Sequence, residues 1–215
     1  MRIVKIFLFT LSILLSATSV SAKTYPDPQY KKADLASLGT FAAPTNVSLD
    51  IHFQRNGKPM EKVVKQVRPL VEKHLLSTHA YAFVNDAAAP VLRITLNNVA
   101  DLDEARKKGF LTGLTFGGKG STITDYYEAK IELVKTDETL VKEYKHALVT
   151  TIGRAPPPFE GVASMKPMLA FDVVVQDIML NFVQDMKTDG KLGANEEKAA
   201  IAVPAPAQAE AATIK

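Results

Sequence analysis

Between residues 122 and 152 the chain alternates apolar and polar side chains over two long runs, a pattern that fits a long antiparallel β-hairpin. Ile123, Tyr127, Ala129, Ile131 and Leu133 fall on one face, and Tyr126, Glu128, Lys130 and Glu132 on the other. The polar run KTDET, residues 135 to 139, is the turn, and Leu140 to Ile152 is the return strand. Three consecutive prolines, 156 to 158, then end the ladder because proline cannot donate to it. A hairpin this long with one apolar face needs a partner layer, so the rest of the chain must supply one.

The partner is expected from the last regular element, a helix over about residues 167 to 187 with Ser164 as a cap before it. Phe171, Val174, Val175, Ile178, Phe182 and Met186 form its stripe, and Leu169, Met179 and Val183 widen it. Upstream, Val47, Leu49, Ile51 and Phe53 alternate with Ser48, Asp50 and His52 as a strand, and Asn56-Gly57 turns the chain. Pro59 suits the first turn of a helix over Met60 to Leu76, which Pro69 must kink or split. Residues 91 to 99 read as a second strand, with Leu92, Ile94 and Leu96 on one face. The order is β-α-β-β-β-α, an α+β fold with a single mixed or antiparallel sheet and helices on one face. This domain occupies about residues 45 to 189, after a proline-punctuated linker or extended arm at 23 to 44. Residues 190 to 215 are rich in alanine, proline and glutamate and lack aromatics, as disordered tails do.

The amino terminus reads as an export signal. Arg2 and Lys5 precede the apolar run Ile6 to Leu15, and Val20-Ser21-Ala22 offers small residues for cleavage after Ala22. The apolar run is shorter than the roughly 20 residues a spanning helix needs. The chain has no cysteine, which excludes a lipidated amino terminus, thiol catalysis and cysteine-ligated metals. The expected location is the periplasm, with outer-membrane association as an option. Removing Arg2 and Lys5 leaves 24 basic and 23 acidic residues, a net of +1, so there is no overall basic surface of the kind nucleic-acid binders carry.

The stretch GFLTGLTFGGKGSTITDYY, residues 109 to 127, packs five glycines into twelve positions. Gly113, Gly118 and Lys119 match the start of a phosphate-binding loop, but Gly120 stands where its magnesium-binding hydroxyl belongs. The run TITDYYEAKIEL beyond it alternates like a strand, whereas a phosphate loop opens a helix. No nucleotide or other cofactor is expected. Gly109, Gly113 and Gly117 also have glycine-zipper spacing, yet the segment is too short and polar to span lipid. The remaining readings are a glycine-rich bulge where another backbone comes close and a surface that touches a partner or membrane. The candidate interaction surface is Phe110, Leu114, Phe116, Lys119 and Tyr126. Asp125 falls by parity on the apolar face of the hairpin, where it either marks a slip in alternation or braces the loop through hydrogen bonds.

No catalytic motif stands out. His74 and His79 lie five apart, off a common helical face, and Asp101 to Glu104 lack the pattern of a calcium loop, so no metal site is expected. An enzyme, most simply a hydrolase, would need Asp125, His146 and His52 to converge. A small-ligand carrier would need a cleft between the sheet and the 167 to 187 helix. The run IELVKTDETLV, preceded by VLRITLNNV and followed by an apolar helix, resembles envelope proteins with a β-α-β-β-β-α domain, such as the amino-terminal domain of TolB and the curli-secretion subunit CsgG. The resemblance implies an envelope setting and this topology, and it carries over no functional residue. Asp137-Glu138 stands where those families tend to have glycine, and the segment before the hairpin is too short for the membrane-spanning hairpins of the curli family. These features together predict a non-enzymatic envelope protein that acts by binding an envelope partner or itself, with peripheral membrane contact as an option.

Overall fold

The structure, a computed structural model, describes residues 22–100 and 120–192. Its elements are β1 (Ala22–Pro26), α1 (Leu35–Leu38), β2 (Thr45–Arg55), β3 (Lys58–Pro59), α2 (Glu61–Ser77), β4 (Tyr81–Phe83), β5 (Val91–Val99), β6 (Ser121–Val134), β7 (Thr139–Ile152) and α3 (Pro167–Thr188). The seven strands form one mixed, mostly antiparallel sheet in the order β1-β7-β6-β5-β2-β3, with β4 beside β2. The fold is α+β, with the expected β-α-β-β-β-α order carried by β2, α2, β5, β6, β7 and α3.

The hairpin pairs without interruption from Ser121 opposite Ile152 to Val134 opposite Thr139. Its parity sets the core. Ala129, Ile131 and Leu133 of β6 lie beside Leu92, Ile94 and Leu96 of β5, and Ile51 and Phe53 of β2 continue the same face. Over them lie Val67, Val71 and Leu75 of α2, with Val174, Val175, Ile178 and Phe182 of α3. Each of these side chains larger than alanine contributes about 1.5–3 kcal/mol by leaving water, which is why this face holds the fold together. The crossover through α2 makes β2 and β5 parallel.

Several local expectations are corrected. Asn56 and Gly57 do turn the chain, both at positive φ (50° and 75°), but Pro59 lies in β3 opposite Gln54 and α2 begins at Glu61. Helix α2 runs unbroken through Pro69, whose missing N–H sits on the exposed side. Lys166, not Ser164, precedes α3 as its N-cap, with Pro167 in the first turn, where an absent N–H costs nothing. Leu169 does not widen the buried stripe: it is 56% exposed, beside Met168 at 55%.

The segment 23 to 44, expected to be a linker or extended arm, is built into the domain. Its first residues form β1, which pairs with β7 from Ala22 opposite Ile152 to Pro26 opposite Leu148. The expected cleavage position thus falls at the first residue of an edge strand. Beyond it, Asn181 of α3 accepts hydrogen bonds from the backbone N–H groups of Lys32 (3.0 Å) and Ala33 (3.1 Å) and donates to the Tyr30 carbonyl (2.9 Å). Leu38 then enters the core. The predicted tail lies outside the described residues except for Gly190 to Leu192.

Candidate functional site

The sheet's helix-covered face is not closed at the end where β5 leaves and β6 begins. A cleft of about 170 Å3 remains there, lined by Phe53, Val63, Val67, Tyr127, Met168 and Phe171, with Gln66 at its edge. Each wall has a local cause. Phe53 projects inward from β2 by strand alternation, and Val63 and Val67 share a face of α2 four residues apart. Phe171 turns inward one helical turn after the exposed Met168. The Phe171 ring packs edge-on to Phe53, with centroids 6.3 Å apart, and tilted against Tyr127 at 5.2 Å. These rings leave room for one large apolar side chain or a short alkyl segment.

Asp125 lies two residues before Tyr127 on the same face of β6, the covered one, so the alternation does not slip there. It is half-buried. Burial pushes its carboxyl above the ordinary value, although the charge of Arg55 and a hydrogen bond from Asn98 work the other way. Burial also raises the Tyr127 phenol, helped by the Asp125 charge and opposed by Arg55. The cleft thus has apolar walls, and Asp125, with Asn98 and Arg55 acting on it, lies two residues from its Tyr127 wall. Asn98 also donates to the Tyr126 carbonyl at 3.4 Å, which ties the start of β6 to β5.

Of the predicted interaction surface, Phe110, Leu114, Phe116 and Lys119 lie outside the described residues. Tyr126 is 46% exposed and points to the opposite side of the sheet from the cleft. Gly120 is described, and a Cβ there would collide with the backbone of Ala155 in the chain leaving β7. This is the close backbone approach that one reading of the glycines anticipated.

Asp125, His146 and His52 do not converge. His52 is exposed on the outer face beside Asp50 (3.1 Å), whereas His146 is fully buried on the helix side. Strand parity separates them: inward positions of β2 are odd-numbered and those of β7 even-numbered. His146 bonds Asp177 of α3 at 3.1 Å beneath the Tyr30 ring. Both side chains are buried, and the pair ties α3 to β7 beneath the arm. Sequence reasoning missed two such pairs. His74, buried in α2, contacts Asp172 of α3 at 2.7 Å, and Tyr144 donates to Asp185 at 2.9 Å. Burial alone would raise Asp172, but bonds from Lys73 and His74 outweigh it and hold the carboxyl below its usual range. No local pattern announces these contacts, because each joins positions far apart in the chain.

A larger concavity of about 590 Å3 runs over the outer face of the sheet, past Thr95, Asn97, Lys130 and Glu143. Its charges pair across and along the strands, Lys130 with Glu132 at 2.8 Å and Lys145 with Glu128 at 3.3 Å. The side chains that line it are mostly charged or polar, and several of those charges are paired within the sheet. Among the described residues, no cluster of three or more histidine and acidic side chains is placed to hold a metal ion. No protein-family model matches the chain, and no curated protein matches it significantly.

Proposed function

We propose that this chain is an exported, non-catalytic binding module of the cell envelope, an assembly or accessory factor or an oligomer component. Its binding surface is the end of the sheet where the cleft opens. The observation that carries this reading is the cleft itself, a concave apolar space flanked by Met168 and Leu169, both more than half exposed. Apolar side chains clustered around a concavity mark a site that another apolar group covers. The cleft volume also supports a second reading, a carrier of a small apolar ligand, for which native mass spectrometry of protein from its own host would show a retained mass.

The test is occupancy of the cleft. In the mature chain from Lys23 onward, titration with hexanol should shift the methyl NMR signals of Val63, Val67 and Met168. Val63→Phe, which fills the space, should remove the Val67 and Met168 shifts. Shifts spread evenly over the core, or unchanged by Val63→Phe, would sink the assignment.

A further inference from the structure

Nine of the eighteen lysines and arginines in the described residues have a carboxylate partner, among them Lys31 with Asp34, Arg68 with Glu72, Arg93 with Asp50, Lys142 with Asp189 and Lys145 with Glu128. Lys58, Lys62, Lys65 and Lys166 form no ion pair among the described residues, and all four are exposed. Lys23, Lys32, Arg154 and Lys187 likewise form no ion pair among the described residues, but Lys58, Lys62, Lys65 and Lys166 are the ones nearest in the chain to the residues of the cleft or its edge. Lys58 is opposite Arg55 in the β2–β3 pairing. Lys62 precedes the lining residue Val63, and Lys65 precedes Gln66 at the cleft edge. Lys166 caps α3 two residues ahead of Met168. Arg55 adds a fifth cation, near enough to act on both Asp125 and Tyr127.

Among the described residues, acidic groups at this end do not balance them. Asp172 is engaged by Lys73 and His74. Asp125 is half-buried, and Glu61 is the exposed acid in the first turn of α2. The cations surround, and do not replace, an apolar centre of Met168, Leu169 and the cleft walls. An apolar centre ringed by lysines matches a bilayer's anionic surface, which offers phosphates and, a few ångströms deeper, acyl chain. Lysine stems can lie along the apolar surface while their ammonium groups stay at headgroup level. A nucleic acid would leave Met168 and Leu169 without a partner, because base stacking calls for exposed rings. No described helix is long and apolar enough to cross a membrane, so the contact would be peripheral.

Building on the reading that the cleft end is the binding surface, we propose that this end docks on the anionic surface of a lipid bilayer. Met168 and Leu169 enter the boundary between headgroups and acyl chains, an acyl segment occupies the cleft, and Lys58, Lys62, Lys166 and Arg55 face lipid phosphates.

The experiment is sedimentation of the mature chain with vesicles of phosphatidylethanolamine and phosphatidylglycerol, set against vesicles of phosphatidylcholine, at low and high salt. Binding is expected to the anionic vesicles alone and to weaken as salt rises, since exposed charges are screened. The double variant Lys62→Glu/Lys166→Glu should bind at least about tenfold more weakly. Met168→Ser/Leu169→Ser should also lose binding at unchanged circular dichroism, because all four positions are exposed. Equal binding to both vesicle types, binding to neither, or undiminished binding of the lysine double variant would overturn the proposal. If vesicles fail while hexanol still shifts the Val63 and Val67 methyls, the cleft stands as a binding site and the bilayer is ruled out as its partner. If hexanol fails too, both readings fall.

Discussion

Asp125 and Asp172 lie on opposite sides of the same balance between burial and compensation. At Asp125 burial dominates, and Arg55 and Asn98 only reduce the upward shift. Its folded form holds a proton more tightly than the unfolded chain does, so between the two titration points stability falls as pH rises. Above both points the ionised carboxylate carries a constant penalty. Asp125→Asn should therefore raise the thermal midpoint at about pH 7 and leave it nearly unchanged at about pH 3, where the carboxyl is protonated in either state. A variant less stable than the parent at neutral pH would show instead that the Arg55 attraction outweighs burial. Asp172 has the reverse sign: its depressed carboxyl adds stability above the ordinary range and loses that stability as pH falls through the folded value. Parity alone put Asp125 on the covered face, so its placement was legible in the sequence. The compensation was not, because Arg55 and Asn98 arrive from two other strands.

Among the elements, α2 holds a residue that its own secondary structure disfavours. Pro69 withholds one N–H from the ladder, yet the helix continues from Glu61 to Ser77 because Val67, Val71 and Leu75 fix it to the core. Pro69 is exposed, so Pro69→Ala removes no packing and restores the bond. The variant should gain up to about 3 kcal/mol, seen as a higher denaturant midpoint at constant slope. A loss of stability would mean that the proline shapes the helix for its contact with α3. The elements that were legible are those whose burial repeats with a fixed period: the 122 to 152 hairpin, β2, β5, α2 and α3. The short strands β3 and β4 were not, since two or three residues carry no period. Neither was β1, whose buried Tyr25 sits among prolines and polar residues and is held by pairing to β7. A cleft between the sheet and the last helix was weighed from the sequence, but its lining was not legible, for a related reason. Its lining is seven residues from two strands and two helices, and the one local hint, apolar Met168 and Leu169 beside the stripe of α3, reads equally well as a wider buried face.

The whole molecule is closed by its two ends. The Asn181 side chain satisfies two backbone N–H groups and a carbonyl of the arm, and His146, Asp177 and Tyr30 pack beneath the same contact. Asn181→Ala would leave these groups without partners, at about 1–3 kcal/mol for each that stays buried. Hydrogen exchange should show the Lys32 and Ala33 amides losing protection while the β6–β7 ladder keeps its own. Unchanged protection of those amides would mean that β1 pairing alone holds the arm. This closure also bears on timing. The first strand of the domain pairs with β7, and the arm beyond it is clasped by α3, so a ribosome must finish nearly the whole domain before its opening segment has anything to fold against.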